Sequence, residues 1–372
     1  MIHADRNAHE PVTPLRLRRT VTCPNCNEPF ASTQVRFIAE HPSLAGDPVA
    51  GPQEQLRFRP SRFDSAGNAI DPAGQRCART ACPSCHCQVP RRSLVDKSLA
   101  VTVVATGSGN PTPVVAAALE DLVRSAEMLG IEASEVDPEL NEWLRARPAD
   151  IRQPVRVAGV DKVFPRPAFR SIRANGGARR ILVTHSLSAA DLAVERLPSL
   201  ATCGALVVLI DERESQRVLG DTPPASVDAL VETIRVLDRR VRTVRSSEPS
   251  APARLPSVIA FALPSGWTQH SLGTGWPKLD TAGAELPQRA IATAVAEVHR
   301  RLRDTLQSNA PSMLRALAAG FDQVRLVAVP PNSAGPDAGG WTAMPLLLAA
   351  AAIDTENHLE LAAAGGGTIC NG

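Results

Sequence analysis

From residue 98 onward, apolar runs of strand length alternate with stretches whose apolar positions recur at helical spacing. No other feature of the sequence narrows the available folds so far. The strand-length runs are "LAVTVVAT" (99–106), "RRILVTHS" (179–186), "GALVVLID" (204–211), "SVIAFALP" (257–264) and "QVRLVAVPP" (323–331), with a shorter one, "VRVAGV", at 155–160. Helical patterns lie near 112–129, 226–240, 287–308, 311–320 and 342–353. Such alternation specifies an α/β sheet with crossover helices. Runs that are apolar at nearly every position suit strands covered on both faces of a parallel sheet. The expectation for 98–355 is therefore a three-layer α/β domain.

A chain of 372 residues with 44% hydrophobic content can bury a sizeable core. Its net charge of +2 supplies no overall field toward nucleic acid or an anionic membrane. Lysine occurs only at Lys97, Lys162 and Lys278, and tyrosine is absent. The accompanying excess of Arg, Ala and Pro fits the coding bias of a GC-rich bacterial genome. Residues 1–20 are polar, charged and proline-containing, and read as a disordered tail with no secretory signal; 356–372 reads as a flexible tail. The longest apolar run, Ala343 to Ile353, is too short to span a bilayer and reads as a buried helix. These features predict a soluble, cytoplasmic protein with no membrane partner. The segment "RRVRTVRSSEPSAPARLP" (239–256) reads as a solvated basic loop.

Six of the eight cysteines precede residue 88. Four of them form two matched knuckles, "TCPNCNE" (Cys23, Cys26) and "ACPSCHC" (Cys82, Cys85). Each knuckle puts two thiolates on one tight turn, and two knuckles complete a tetrahedral four-thiolate site suited to zinc. Paired spacing without an export signal favours metal over disulfides. A closed all-cysteine site leaves no position for water, so the zinc is structural. Region 21–97 is thus expected to be a zinc ribbon, with a Pro/Gly/Arg-rich insert between the knuckles that shows no sustained period. Cys77 can replace one ligand, while His86 and Cys87 have no assigned role. Cys203 reads as a core thiol, and Cys370 falls in the glycine-rich tail.

The stretch "SLAVTVVATGSGNPTPVVAAALEDLVRSAEMLG" (98–130) has the strand, glycine turn and helix of a phosphate-binding loop. In a working G-x-x-x-x-G-K-[ST] loop the backbone amides cradle phosphates, the lysine neutralises them and the hydroxyl binds magnesium. With the second glycine set on Gly109, Val104 takes the first glycine's place, Asn110 the lysine's and Pro111 the hydroxyl's. Gly107, Ser108 and Gly109 keep the turn, and Thr112 is displaced by one residue. Asn110 and Pro111 also suit a helix start, as capping side chain and first-turn proline. A helix N-terminus still attracts anions, so GTP at Gly107, Ser108, Gly109, Asn110 and Thr112 remains open.

This order of parts resembles the bacterial TRAFAC-clade GTPases of conflict and anti-phage gene clusters, in which an N-terminal zinc ribbon runs into the phosphate loop. "CPNC", "CPSCHCQVP" and "ATGSGNP" carry the likeness at the start. "RRILVTHSLSAADL", "ALVVLIDERES", "VIAFALPSGW", "VRLVAVPPNSAGP" and "MPLLLAAAAI" follow where later strands and the closing helix of that family fall. The resemblance implies a P-loop NTPase fold. It also implies that Thr184 or His185 stands where a magnesium-associated Asp belongs, and Pro264, Ser265 and Gly266 where Lys and Asp select guanine. "LDTAGAE" (Asp280 to Gly283) matches the family's switch motif in letters but follows no strand.

The resulting expectation is a pseudo-GTPase with no catalytic residues. It would act through proteins of its own gene cluster, an active GTPase or an effector among them. Two alternatives stay open: a true GTP-binding switch with a non-standard loop, and a zinc-ribbon nucleic-acid adaptor using "LRFRPSRF", with Phe58 and Phe63 among arginines. Near-neutral charge and few aromatics weigh against nucleic acid. His185, Asp191 and Asp211 read as loop and capping residues.

Overall fold

The computed structural model describes residues 17–65, 67–107, 110–137, 139–144, 152–157, 160–174, 177–193, 197–220, 227–246, 254–263, 287–330 and 340–354. Ser108, Gly109, residues 264–286 with the would-be base-reading and switch motifs, and Cys370 lie outside them.

Seven strands build the main sheet: β1 (Lys97–Ala105), β2 (Ile131–Glu135), β3 (Ala168–Ala174), β4 (Arg180–Leu187), β5 (Ala205–Ile210), β6 (Pro256–Ala262) and β7 (Asp322–Val329). Their order is β2-β3-β4-β1-β5-β6-β7. The five strands from β4 to β7 are mutually parallel. The sheet is nevertheless mixed, because β3 runs antiparallel to β4 and β2 antiparallel to β3. Every residue of β4 and β5 is buried. Successive side chains point to opposite faces, so both faces of the sheet are covered. This is why β5 reads as an unbroken apolar run, and why even the polar Thr184, His185 and Ser186 of β4 are buried.

The helices are α1 (Thr112–Arg124), α2 (Pro198–Thr202), α3 (Glu212–Leu219), α4 (Asp228–Arg245), α5 (Pro287–Asn309), α6 (Pro311–Gly320) and α7 (Met344–Ile353). The α7 helix is buried from Met344 to Ala351 all round its circumference, as a helix in the centre of a core must be. It packs against β1, β5 and β6. Asp121 of α1 accepts the amides of Gly340 and Ala343, joining α1 to the start of α7. No described helix is long and apolar enough to cross a membrane.

Two sequence expectations are corrected here. The basic stretch from residue 239 does not begin a loop, because α4 continues to Arg245. Leu230, Ile234, Leu237, Val241 and Arg245 all lie buried along it, and Arg245 donates to the carbonyls of Ala201 and Cys203. The apolar stripe is sound, but arginines crowd its other faces and hide it. The short "VRVAGV" run is not one strand but parts of two, Arg152–Val157 and Val160–Pro165, which pair as a hairpin.

Before the main sheet stands a small module of short strands. Thr20–Thr22 pairs with Pro29–Ala31, and a four-stranded sheet follows the order Gln88–Val89, Thr80–Ala81, Arg36–Ile38, Arg57–Phe58. The expected featureless insert holds two hairpins, Ala45–Asp47 with Gly51–Gln55 and Ala69–Ile70 with Arg76–Cys77. The tail expected to reach residue 20 is already engaged at Arg18, whose amide donates to the Leu94 carbonyl.

Candidate metal centre

Each cysteine pair sits at the turn of its own hairpin. The Cys23 amide donates to the Glu28 carbonyl and the Cys82 amide to the Cys87 carbonyl, so each knuckle closes on itself. The amides of Asn27 and His86 return to the carbonyls of Cys23 and Cys82. Both residues take the left-handed conformation, with φ of 67° and 59°, at the position after the second cysteine. Asparagine tolerates that region better than most residues; a histidine there needs support from its surroundings. Within each turn the amide two residues on donates to the first sulfur, Asn25 N–H to Cys23 Sγ and Ser84 N–H to Cys82 Sγ, both at 3.4 Å.

The two knuckles face each other across the module. Cys23 Sγ lies 3.8 Å from Cys85 Sγ, and Cys26 Sγ 3.8 Å from Cys82 Sγ. All four sulfurs fall within 4.8 Å of one another and could hold a metal ion. The spacing is far beyond the ~2.05 Å of a disulfide. The four residues are 0–5% exposed, so the donor set is closed to solvent. Burial pushes the Cys23 thiol well above its usual range, while hydrogen bonds from Cys23, Cys26 and Cys85 hold the Cys82 thiol far below it. Four sulfurs crowded this closely out of solvent can all ionise only with a cation among them.

Cys77 is not a fifth candidate. Its sulfur is buried beside Asp71, 3.8 Å from Oδ2, and Asp71 is spent on the amides of Glu40, His41 and Gln75. Burial pushes the Cys77 thiol up, in keeping with an inert packing role. His86 is no ligand either, yet it is no bystander. Its Nδ1 lies 2.6 Å from Asp47 Oδ1, and Asp47 also accepts the amides of Val49, Ala50 and Arg57. Burial opposes an ionised Asp47, but these donors outweigh it and hold the carboxyl below its usual range. Asp47 thereby ties the insert's first hairpin to the second knuckle. The sequence signal was available: His86 occupies the same knuckle position as Asn27.

The loop after β1 is described at Thr106, Gly107, Asn110 and Pro111. Val104 lies inside β1, paired with Leu187 and Val208, not in a loop. Asn110 Oδ1 accepts the Thr112 amide at 3.1 Å, and Pro111 occupies the helix start. The Thr112 hydroxyl is buried and has no hydrogen-bond partner among the described residues. A side chain on Gly107 would put its Cβ 1.9 Å from Asp211 Oδ2, so the carboxylate of Asp211 packs directly over the loop. The other oxygen of Asp211 caps α3 by accepting the Glu214 amide at 2.8 Å. Asp191 likewise caps its own turn, taking the Ser188 amide and hydroxyl.

His185 reaches a different place. From β4 its Nε2 lies 2.8 Å from the carbonyl oxygen of Pro24, inside the first knuckle. Complete burial pushes its pKa down to about 4, so the ring is neutral and donates from Nε2. The main sheet is thus bonded to the cysteine centre through one histidine. No protein-family model, curated protein or solved structure matches the chain at a significant level.

Proposed function

We propose that this is a zinc-stabilised, GTPase-like protein without catalytic activity, which works through contacts with proteins of the same gene cluster, an active GTPase or effector among them. The observation that carries the reading is the loop after β1. The chain leaves β1 for strands on one side of it, β2 to β4, and then returns for strands on the other, β5 to β7. The loop therefore lies outside the carboxyl end of the central strand at a switch of strand order, where open α/β sheets bind their ligands. Its residues are wrong for phosphate. A carboxylate, Asp211, covers Gly107, and Asn110 is turned to the α1 amide. Lys97, at the far end of the nine-residue β1, is roughly 26 Å away by strand rise.

Zinc is supported by the sulfur spacing. Four sulfurs at about 2.3 Å from one tetrahedral ion stand about 3.8 Å apart, and the two facing pairs lie at 3.8 Å. With every ligand position filled by buried cysteine, such an ion would lock the two knuckles together and activate no water. Freshly purified, reduced protein should carry close to one zinc per chain, and Cys82→Ser should release it. Metal-free protein would refute the zinc centre.

GTP and ATP should not be hydrolysed above background, with or without magnesium. A second reading, a true GTP-binding switch, draws on the buried Thr112 hydroxyl at the start of α1, unpartnered among the described residues. Magnesium-dependent GTP binding in the low micromolar range, lost in Thr112→Val, would establish that reading in place of the first.

A further inference from the structure

A cavity of about 570 Å³ opens between the second cysteine knuckle, the Ala45–Gln55 hairpin and the chain entering β3. That volume is in the range of small-molecule sites. Its walls include His86, Arg57, Arg166, Leu140 and Phe169. Neither the cysteine centre nor the loop after β1 explains what these residues do.

Arg166 is the telling group. Its Nε is buried with no hydrogen-bond partner, and its guanidinium pairs with no described residue. Arg36 and Arg240 also bury an Nε that makes no hydrogen bond, but neither lines this cavity. The other arginine in its wall, and two more that face inward, are satisfied. Arg57 donates to the carbonyls of His86 and Gln55 and to Glu54. Arg180 holds Asp354, and Arg245 two backbone carbonyls. The carboxylates at the cavity are already engaged, Glu54 by Arg57 and Glu139 by Arg79. A partly buried cation with no counter-charge among the described residues suits an anionic ligand that supplies one.

His86 provides the second contact. Asp47 takes its Nδ1, which leaves Nε2 with no bond to any described residue and the ring in the cavity wall. With Nδ1 committed to the carboxylate, Nε2 is the ring atom left for a ligand. Leu140 and Phe169 add an apolar wall for a carbon skeleton. We infer that this cavity binds a small organic oxyanion, a carboxylate or a phosphate, that also carries a hydroxyl: Arg166 takes the oxyanion and His86 Nε2 pairs with the hydroxyl. The inference does not rest on the GTPase-like reading.

The test is calorimetric titration of the metal-loaded full chain with malate, glycerol 3-phosphate and succinate. One of the two hydroxyl-bearing probes should bind with a Kd of about 1 mM or tighter, and which one does so tells carboxylate from phosphate. Arg166→Gln should weaken it about tenfold or more, and Arg166→Lys, which keeps the charge but loses the fork, by less. His86→Asn should erase the preference for malate over succinate if malate is the better probe. Metal content and thermal midpoint identify which variants keep the fold. The inference is overturned if neither hydroxyl-bearing probe binds the parent. It is equally overturned if an Arg166 variant that keeps its metal and midpoint binds as the parent does, since the probe is then held elsewhere, as at the start of α1.

Discussion

His185 shows how much one side chain can join. It belongs to β4, the strand beside β1, yet its hydrogen bond is to Pro24 in the first knuckle. Its folded pKa of about 4 lies below the ordinary 6.5. A base with a depressed folded pKa contributes full stability above the ordinary value and loses it as pH falls toward the folded one. The stability tied to His185 should therefore decline between pH 6.5 and 4, by about 3 kcal/mol in total. His185→Gln should cost about 1 kcal/mol at pH 7.5 through the disturbed hydrogen bond. It should also flatten the pH dependence, so that in urea titrations the parent's advantage disappears and then reverses as the solution is acidified. Parallel curves at every pH would show that the imidazole does not titrate in this window.

At the scale of elements, the turn after β1 and the start of α3 share one residue. Asp211 caps α3 and packs on Gly107, so neither element can change alone. Gly107→Ala should force the carboxylate off its cap and cost about 1–3 kcal/mol. Asp211→Ala should cost about 1 kcal/mol by itself. The double variant should be more stable than the sum of the two predicts, because the clash is gone once the carboxylate is removed. Thermal or denaturant unfolding of the four proteins measures this coupling, and strict additivity would deny the contact.

The whole molecule is closed by pairs distant in sequence. Arg180, at the start of β4, holds Asp354, which follows α7, with Nε to Oδ2 at 2.9 Å, and Asp354 is 2% exposed. Removing one member of a buried pair strands the other charge. Asp354→Ala should thus destabilise the fold by about 3–5 kcal/mol. Arg180→Met with Asp354→Leu should recover much of that loss, because both charges are then gone. Chemical denaturation reads both outcomes, and an Asp354→Ala variant as stable as the parent would mean the pair does not fasten α7 to the sheet.

What the sequence determined by itself was whatever depends on local pattern. Strand-length apolar runs marked β1, β4, β5, β6 and β7, since strands covered on both faces have no polar side to confuse the pattern. The 311–320 helix begins at Pro311 and ends at Gly320 as read, and the CPxC spacing named all four sulfurs of the tetrad. Tertiary structure decided the rest. The edge strand β2 and its neighbour β3 interrupt their apolar residues with charges, and only the antiparallel pairing of β2 with β3 and of β3 with β4 makes them strands. The polar α3 is held by its Asp211 cap, and α4 hides its buried stripe among arginines. That His86 meets Asp47, that Asp211 covers Gly107 and that Arg166 lines a cavity are contacts between segments far apart in the chain. No local propensity encodes such meetings; they exist only once burial has drawn those segments together.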